Sequence, residues 1–358
     1  MSITFNKKQQ QVINELNQNI LLSAGAGTGK TNVLSYRVAN ILNKNRANAD
    51  EILCLTFTNK ACRELKNRIT SQLDFETANK ITIRTIHGFA YQVITTTAKK
   101  AQTIFKEFVI FDDEDQKTLI RQTIANFPKA RALDIQYIVN CIEQLKQERA
   151  LKHIYTEDIE ADYTTIYHQH LKFNKTFNQQ QNDNLTKFFQ FDGLNIIINY
   201  ELALQQMHGL DYKDLIANAY RLFQDENICL SWRKRYKYIM IDEMQDTSSF
   251  EYTMLEKLFP ANNIMLCGDE FQTIYEWRGS NPQKILTAFT KKYNPLIINF
   301  NENYRSTKLL LEMAYNTLIN LFCKETILHS YAKNLLSKSS ELGHKIELKQ
   351  ANSLANEA

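Results

Sequence analysis

The sequence predicts an α/β fold in which a parallel sheet carries helices on both faces. Short apolar runs alternate along the chain with segments of helical periodicity, and this order is typical of parallel sheets because a crossover helix links each strand to the next. Glycine is scarce, with 9 among 358 residues, yet Gly25, Gly27 and Gly29 cluster directly after the first apolar run. Because glycine permits unusual backbone angles and close approach to a ligand, the cluster indicates a specialised loop.

Six short apolar runs are the predicted strands. The first is followed by the loop AGAGTGKT and by an apolar helical stripe that starts at Val33, so the order there is strand, loop and helix. The second precedes the charged helical segment NKACRELKNRI. In chain order the predicted strands are residues 19–23, 51–58, 81–87, 236–243, 263–269 and 295–300.

The middle of the chain has a different character. Residues 114–127 and 132–150 have the apolar spacing of amphipathic helices, and no strong strand signal lies between them. We therefore predict that residues 96–205 form a mostly helical insertion, after which the strand pattern resumes.

The composition is that of an ordinary globular chain. The 43 basic and 39 acidic side chains give a net charge of +4, which is compatible with nucleic-acid binding without arguing for it. The six cysteines form no CxxC pair, the start MSITFNKKQQ is polar, and no apolar run approaches the roughly 20 residues that span a membrane. These features predict a reducing, cytoplasmic setting with no membrane partner.

The loop AGAGTGKT matches the pattern of a phosphate-binding loop, with Ala24 where glycine is commoner. Such a loop aims its N–H groups inward between a strand end and a helix N-terminus, where the helix dipole favours an anion. Lys30 is predicted to reach the β- and γ-phosphates of ATP, and the Thr31 hydroxyl to bind Mg²⁺. A simple glycine-rich turn is the alternative, which the strand before and the helix after disfavour. The predicted nucleotide-binding residues of the loop are Ala24, Gly25, Ala26, Gly27, Thr28, Gly29, Lys30 and Thr31.

A second element, IMIDEMQD, places two acids directly after an apolar run. Asp242 is suited to bind the metal, and Glu243 is suited to act as the general base that polarises an attacking water. Acids at strand ends also cap helices, so this signal is weak when it stands alone. Together with the phosphate-binding loop, it predicts a site that binds ATP and Mg²⁺ and hydrolyses the nucleotide.

The chain contains, in this order, the segments AGAGTGKT, LTFTNKACRELKNRI, TIHGFAYQVI, LDYKDLI, IDEMQDTSSFEY, GDEFQTIYEWRGSNP and NENYRST. Together they resemble the N-terminal motif series of the UvrD/Rep/PcrA-type superfamily 1 DNA helicases. The resemblance implies two RecA-like domains that hold ATP in the cleft between them, with single-stranded DNA across their top. On that basis residues 1–95 and 206–295 are predicted to form the first RecA-like P-loop domain, and residues 296–358 the truncated beginning of a second.

The resemblance also implies roles for residues around the nucleotide. Gln9 would bond the edge of adenine, while Arg37 and Tyr304 would enclose the adenine ring. Gln272 would sense the γ-phosphate, and Arg305 would serve as an arginine finger, for which a surface salt bridge is the alternative. The predicted catalytic residues are therefore Lys30, Glu243, Gln272 and Arg305.

Single-stranded DNA, or its junction with a duplex, is the partner that the resemblance implies. The expected contact residues are Phe57, Asn59, His87, Tyr275, Trp277 and Arg278. Phe57 and the two later aromatic residues could instead pack into a core, and His87 could bond a loop carbonyl. Stacking on aromatic side chains suits a sequence-independent grip, since every base has a flat face.

The function implied by the resemblance is ATP-driven, 3′-to-5′ translocation on single-stranded DNA with duplex unwinding. No counterpart of the family's later motifs follows NYRST, so we expect this portion to bind ATP and to be unable to unwind DNA alone. Two alternatives stay open. The chain could be a naturally short regulator or a subunit without motor activity, with a protein partner that supplies the other motor half, or it could be the N-terminal part of a helicase–nuclease.

Overall fold

A computed structural model describes residues 4–98, 107–156, 158–172, 178–260, 262–269, 272, 280–321 and 336–339. The strands are β1 (Ile20–Ser23), β2 (Ile52–Thr56), β3 (Thr82–Thr85), β4 (Val109–Phe111), β5 (Gly209–Asp211), β6 (Tyr238–Ile241), β7 (Asn263–Gly268), β8 (Leu296–Asn299), β9 (Glu302–Asn303) and β10 (Leu336–Ser337). The helices are α1 (Lys7–Asn14), α2 (Lys30–Asn43), α3 (Asn59–Thr70), α4 (Phe75–Lys80), α5 (Ile86–Ala98), α6 (Asp113–Ile124), α7 (Ile135–Leu151), α8 (Ile159–Lys172), α9 (Gln179–Gln190), α10 (Gly193–Gln206), α11 (Tyr212–Leu222), α12 (Glu226–Arg235), α13 (Ser249–Glu256), α14 (Pro282–Tyr293) and α15 (Lys308–Leu321). Within these residues, no helix has both the length and the apolar composition to span a membrane.

One parallel sheet contains all six of the predicted strands, in the order β3-β2-β6-β7-β1-β8. Every neighbouring pair in it is parallel, and β1 lies between β7 and β8. The prediction of a parallel sheet is confirmed, although the strands are shorter than predicted. The third run, for example, ends at Thr85, and His87 already belongs to α5. Because parallel strands share one carboxyl edge, the segments after β1, β6 and β7 meet there.

Helices cover both faces of this sheet, since the side chains of its strands alternate between two hydrophobic clusters. In β2, Leu53 and Leu55 join the cluster that includes Phe89 of α5. Cys54, which lies between them, joins the cluster that includes Val33 of α2. Because both faces are buried at the centre of the sheet, strands such as β1, β2 and β6 read as nearly continuous apolar runs rather than as alternating ones.

Helices α6 to α10 form a layer with a hydrophobic cluster of its own, which includes Ile138 and Phe188. This agrees with the helical character predicted for residues 96–205. The same region contains β4, which pairs parallel with β5 so that Ile110 lies opposite Leu210. The sequence does not predict β4, because a run as short as VIF carries no measurable periodicity.

Strand β8 favours a different boundary between the two domains from the predicted one. Residues 296–358 are predicted to begin a second domain, but β8 pairs parallel with β1, and Ile298 lies opposite Leu22. Residues 300 and 301 then lead to β9, which pairs with β10 in a separate two-stranded sheet. Since β8 completes the first sheet, we propose that the second unit begins after residue 301 and that the rest of the predicted division stands.

Candidate active site

The loop between β1 and α2 has the geometry of a phosphate cradle. Gly27 and Gly29 have φ angles of 78° and 84°, in the left-handed region that side chains disfavour. Thr28 is fully buried, and its Oγ1 donates to the Gly25 carbonyl oxygen at 2.7 Å, which closes the loop on itself. Helix α2 begins at Lys30, so the loop lies at the positive end of a helix dipole, where an anion is favoured.

Lys30 bridges the two acids that follow β6. Its Nζ lies 3.2 Å from Asp242 Oδ1 and 2.5 Å from Glu243 Oε2. Burial alone would lower the pKa of Lys30, but the attraction of Asp242 and Glu243 outweighs burial and holds that pKa above its ordinary value. Burial raises the pKa of Asp242 against the opposing effect of Lys30. For Glu243, burial also acts upward, but the attraction of Lys30 outweighs it and lowers the pKa.

A cavity of about 620 Å³ lies over the loop and the acid pair. It brings together most of the residues predicted to bind or hydrolyse the nucleotide, although they come from distant parts of the chain. Ala24 and Thr28 do not line it; they are 1% and 0% exposed and support the loop from behind. The predicted residues that line the cavity are Gln9, Gly25, Ala26, Gly27, Gly29, Lys30, Thr31, Asp242, Glu243, Gln272, Tyr304 and Arg305.

The segment NYRST lies directly on the phosphate-binding loop. Tyr304 N donates to the Gly27 carbonyl oxygen at 2.8 Å, and Asn303 Nδ2 donates to the Ala26 carbonyl oxygen at 2.8 Å. The approach is so close that a Cβ on Gly27 would lie 2.6 Å from Arg305 Cβ. Tyr304 and Arg305 therefore border the cavity side by side with the loop.

Gln9 and Tyr304 meet the cavity near the N-terminus of α1. Asn6 caps α1, and its Nδ2 donates to Tyr304 Oη at 3.1 Å and to Glu302 Oε2 at 2.9 Å. Tyr304 Oη in turn donates to Glu302 Oε2 at 2.6 Å, which orients the ring. Gln9 Nε2 donates to the Thr28 carbonyl oxygen at 3.0 Å, so this amide supports the loop, and its bond to adenine stays a prediction.

The structure corrects the prediction for Arg37. Its side chain is 0% exposed; Nη1 donates to the carbonyl oxygens of Val12 and Glu15, and Nη2 donates to Asn263 Oδ1 at 3.1 Å. Burial lowers the pKa of Arg37 to about 10. These partners are not among the described residues that line the cavity. Arg37 follows Lys30 by two helical turns, a rise of about 10 Å, so the guanidinium fixes α1 against α2 and β7 instead of contacting adenine.

Methionine in place of Arg37 is expected to lower the melting temperature and to leave the ATP affinity of the folded protein unchanged. The variant leaves buried carbonyl oxygens without a donor, at a cost of about 1–3 kcal/mol for each group. Thermal melting and titration with a fluorescent ATP analogue measure the two effects separately. Arg121→Met, on an exposed position of α6, is the matched control. A loss of ATP affinity under conditions where Arg37→Met is folded would restore the contact with adenine.

Arg68 also lines the cavity, although it is not among the predicted site residues. Its Nη1 donates to Asn32 Oδ1, and its Nη2 donates to Glu64 Oε1 at 3.0 Å. Arg68 adds a positive charge to the cavity wall, in addition to those of the predicted basic residues. The sequence holds a signal for it, because Ala61, Glu64 and Arg68 have the i, i+3, i+7 spacing of one helix face in NKACRELKNRI.

Residues predicted to contact DNA follow β2 and β3 at the carboxyl edge of the sheet. Phe57 is half-buried and Asn59 is exposed at the start of α3. His87 Nε2 lies 3.6 Å from Glu251 Oε1, and its ring is edge-on to Tyr212. In the described ranges none of the three lines the cavity, and their contacts with DNA stay predictions. The remaining predicted DNA contacts lie outside the described residues; they are Tyr275, Trp277 and Arg278.

Thr31 and Asp242 supply oxygen donors of the kind that Mg²⁺ prefers. Both line the cavity beside Lys30. Among the residues that the structure describes, no group of three or more His, Cys, Asp or Glu side chains is arranged to hold a metal ion. A magnesium ion fits this arrangement, because Mg²⁺ is commonly held by one or two protein oxygens together with the phosphates of a nucleotide.

A phosphate cradle, a bridging lysine and an acidic strand end on a parallel sheet define the class of P-loop nucleotide-binding proteins. The chain belongs to the UvrD/REP helicase family, since its residues 5–294 match the UvrD/REP helicase N-terminal domain. The resemblance seen in the motif series is thereby confirmed.

Several longer proteins are similar to this chain. A probable DNA helicase II homolog of Mycoplasma capricolum is 30% identical over 362 residues, which cover 99% of this chain and 45% of that protein. A homolog of the same description from Mycoplasma genitalium is 30% identical over 358 residues, with 99% and 48% covered. The ATP-dependent DNA helicase PcrA of Leuconostoc citreum is 30% identical over 319 residues, with 88% and 39% covered. The chain thus spans less than half the length of these relatives.

Proposed function

We propose that this chain is the ATP-binding portion of a DNA translocase that moves 3′ to 5′ on single-stranded DNA and unwinds duplexes. The observation that carries the proposal is the position of Lys30, which bridges Asp242 and Glu243 beneath the loop. Gln272 and Arg305 line the same cavity. The relatives, a probable DNA helicase II homolog and an ATP-dependent DNA helicase, support ATP as the nucleotide and DNA as the track.

Each charged residue that the sequence predicts for the cavity has a role in this proposal. The loop N–H groups and Lys30 bind the phosphates, which compete with Glu243 for the Lys30 ammonium. Released from that ion pair, the Glu243 carboxylate accepts a proton from the attacking water. Gln272 and Arg305 contact the γ-phosphate and stabilise the charge that develops on it. Magnesium, held by the two oxygen donors described above, neutralises phosphate charge when bound.

The adenine of ATP and the DNA strand are assigned to separate parts of the surface. Tyr304 offers its oriented ring to adenine, and Gln9 lies in the same stretch of the cavity wall. Phe57, Asn59 and His87 follow strands of the sheet whose carboxyl edge carries the nucleotide site. A single strand bound at these residues would therefore run along the edge where hydrolysis takes place, which is the arrangement that coupling requires.

Stimulation of ATP hydrolysis by single-stranded DNA tests the proposal. With the purified chain, we expect an oligonucleotide to raise the hydrolysis rate and a blunt duplex of the same length to have little effect. The reason is that unpaired bases can stack on aromatic side chains, whereas duplex bases are already stacked. Measurable hydrolysis that is equal with and without the oligonucleotide, in a chain that binds both ATP and DNA, would contradict the motor and favour a regulator or a non-motor subunit.

We propose further that the chain alone does not displace a DNA strand. An arginine finger is worth on the order of 10³–10⁵ in rate, and the second finger that the resemblance implies has no counterpart after NYRST in this sequence. Duplexes with a 3′ or a 5′ single-stranded tail test this directly, and we expect no displacement from either. Displacement by the chain alone would refute this part, and a preference for the 5′ tail would refute the polarity.

A further inference from the structure

Gln245 lies in the short turn Met244–Asp246 directly after the acid pair, and it is 3% exposed. Its Nε2 donates to Glu243 Oε2 at 2.8 Å, and its Oε1 accepts from the Asp269 N–H at 3.0 Å. Asp269 is the residue that follows β7. A single side-chain amide thus joins the predicted general base to the backbone at the end of a neighbouring strand.

The space for this amide depends on Gly268. A Cβ on Gly268 would collide with Gln245 Oε1 and would lie 2.9 Å from Met244 Cγ. The backbone that receives the amide also continues toward the predicted phosphate sensor, since Gln272 N donates to the Asp269 carbonyl oxygen at 3.0 Å. Gln245 therefore contacts the segment that presents Gln272 to the cavity.

Glu243 depends on neighbouring side chains to hold its carboxylate. Its φ of 55° places a residue with a side chain in the left-handed region, and that side chain is 35% exposed. Its Oε2 accepts hydrogen bonds from both Lys30 and Gln245. Bound phosphates would draw Lys30 away, because two or three phosphate charges outweigh one carboxylate. Among the residues that the structure describes, Gln245 is the side-chain donor that then remains on Glu243 when the general base is needed.

We propose that Gln245 is a positioning residue for ATP hydrolysis, which holds the Glu243 carboxylate in place once the phosphates engage Lys30 and ties it to the strand end that leads to Gln272. This inference rests on the proposed function, in which Glu243 is the general base. A general base must lie within hydrogen-bond reach of the proton that it takes. A misplacement of about 1 Å can lower a rate roughly 10²-fold.

Gln245→Glu tests the contact with little change of shape. The introduced carboxylate still accepts from the Asp269 N–H, but it donates to Glu243 only when protonated. Single-turnover hydrolysis, with protein in excess over ATP and with saturating single-stranded DNA, should be slower by about 10²-fold at about pH 8, while ATP affinity changes much less. The difference in hydrolysis rate between this variant and wild type should shrink as the pH is lowered, because a protonated carboxyl again donates to Glu243.

Melting curves test the same contact without turnover. Gln245→Glu should lower the melting temperature most at alkaline pH, where two carboxylates would share a buried site. Adding Glu243→Gln should relieve this deficit, because the new amide can donate to the introduced carboxylate. Gln224→Glu is the matched control, since it makes the same change on an exposed side chain beside Lys257. Its rate and its pH profile should equal those of wild type.

The outcomes separate this inference from the function on which it rests. A wild-type rate and pH profile in Gln245→Glu, with Glu243→Gln inactive, would overturn the positioning role and leave the proposed function intact. Retained hydrolysis in Glu243→Gln would remove Glu243 as the general base and the positioning role of Gln245 with it. If turnover is too slow to measure in every variant, the melting temperatures of the single and double variants decide. A smaller loss of melting temperature in the double variant than in Gln245→Glu supports the contact between Gln245 and Glu243. An equal loss refutes it.

Discussion

Glutamine in place of Glu243 is expected to stop ATP hydrolysis and to leave ATP binding intact. The amide has the shape of the carboxylate but no basicity, and loss of a positioned general base lowers a rate by roughly 10²–10⁴-fold. In the variant, the Lys30 ammonium loses a charged partner at 2.5 Å and keeps Asp242 at 3.2 Å, so it is more available to phosphates. We therefore expect the ATP affinity to equal or exceed that of wild type.

Single-turnover hydrolysis and titration with a fluorescent ATP analogue measure these two properties separately. Glu226→Gln is the matched control, because Glu226 is an exposed residue of α12 that pairs with Arg233 at 2.8 Å and does not line the cavity. Its hydrolysis rate should equal that of wild type. A wild-type rate in Glu243→Gln would mean that another group accepts the proton, and Asp242 would then be the next candidate.

Alanine in place of Lys30 is expected to abolish ATP binding at concentrations that saturate wild type. A hydrogen bond to a charged group contributes about 1.5–3 kcal/mol, which is roughly 10- to 100-fold in affinity, and this ammonium is predicted to contact two phosphates. Isothermal titration calorimetry measures the loss. Lys80→Ala is the control, because Lys80 is 59% exposed and pairs only with Glu76 of its own helix among the described residues. Unchanged affinity in Lys30→Ala would refute the assignment of the loop.

The same variant should change how stability depends on pH. In wild type, burial raises the pKa of Asp242 and Lys30 opposes that rise. Without Lys30, two carboxylates face each other, so the pKa of Asp242 rises further. A carboxyl with a higher pKa in the folded than in the unfolded state contributes stability at low pH that is lost as the pH rises through the folded value. The melting temperature of Lys30→Ala, relative to wild type, should therefore fall as the pH rises above the ordinary range of a carboxyl pKa; a constant difference would contradict the bridging role.

The parts of the site that could be predicted from the sequence are those in which strand, loop and functional residue are contiguous. In AGAGTGKT and IDE, the strand end places the functional residue within a few positions of it, and both segments lie where the patterns predict. The sheet could be predicted for a related reason, since strands buried on both faces appear as apolar runs. Gln272, Tyr304 and Arg305 were placed by resemblance alone, because their distance from the loop along the chain carries no geometric information.

What could not be predicted depends on contacts between distant segments. The helical spacing of Arg37 does not reveal that α1 packs across α2 and supplies carbonyl oxygens for its guanidinium. The boundary after β8 depends on pairing with β1, which apolar content alone does not specify. The role inferred for Gln245 was equally hidden, since a glutamine after an acid pair shows its partners only when β6 and β7 are adjacent.

The short link between β8 and β9 has a thermodynamic consequence. Residues 300 and 301 join the two sheets, and the cavity is walled by the loop on one side of that joint and by Tyr304 and Arg305 on the other. A nucleotide that touches both walls acts as a reversible crosslink across the joint. By reciprocity, the factor by which closure of the joint raises ATP affinity is the factor by which ATP favours closure. If a DNA strand binds better to the open joint, the factor by which it weakens ATP binding equals the factor by which ATP weakens its own binding.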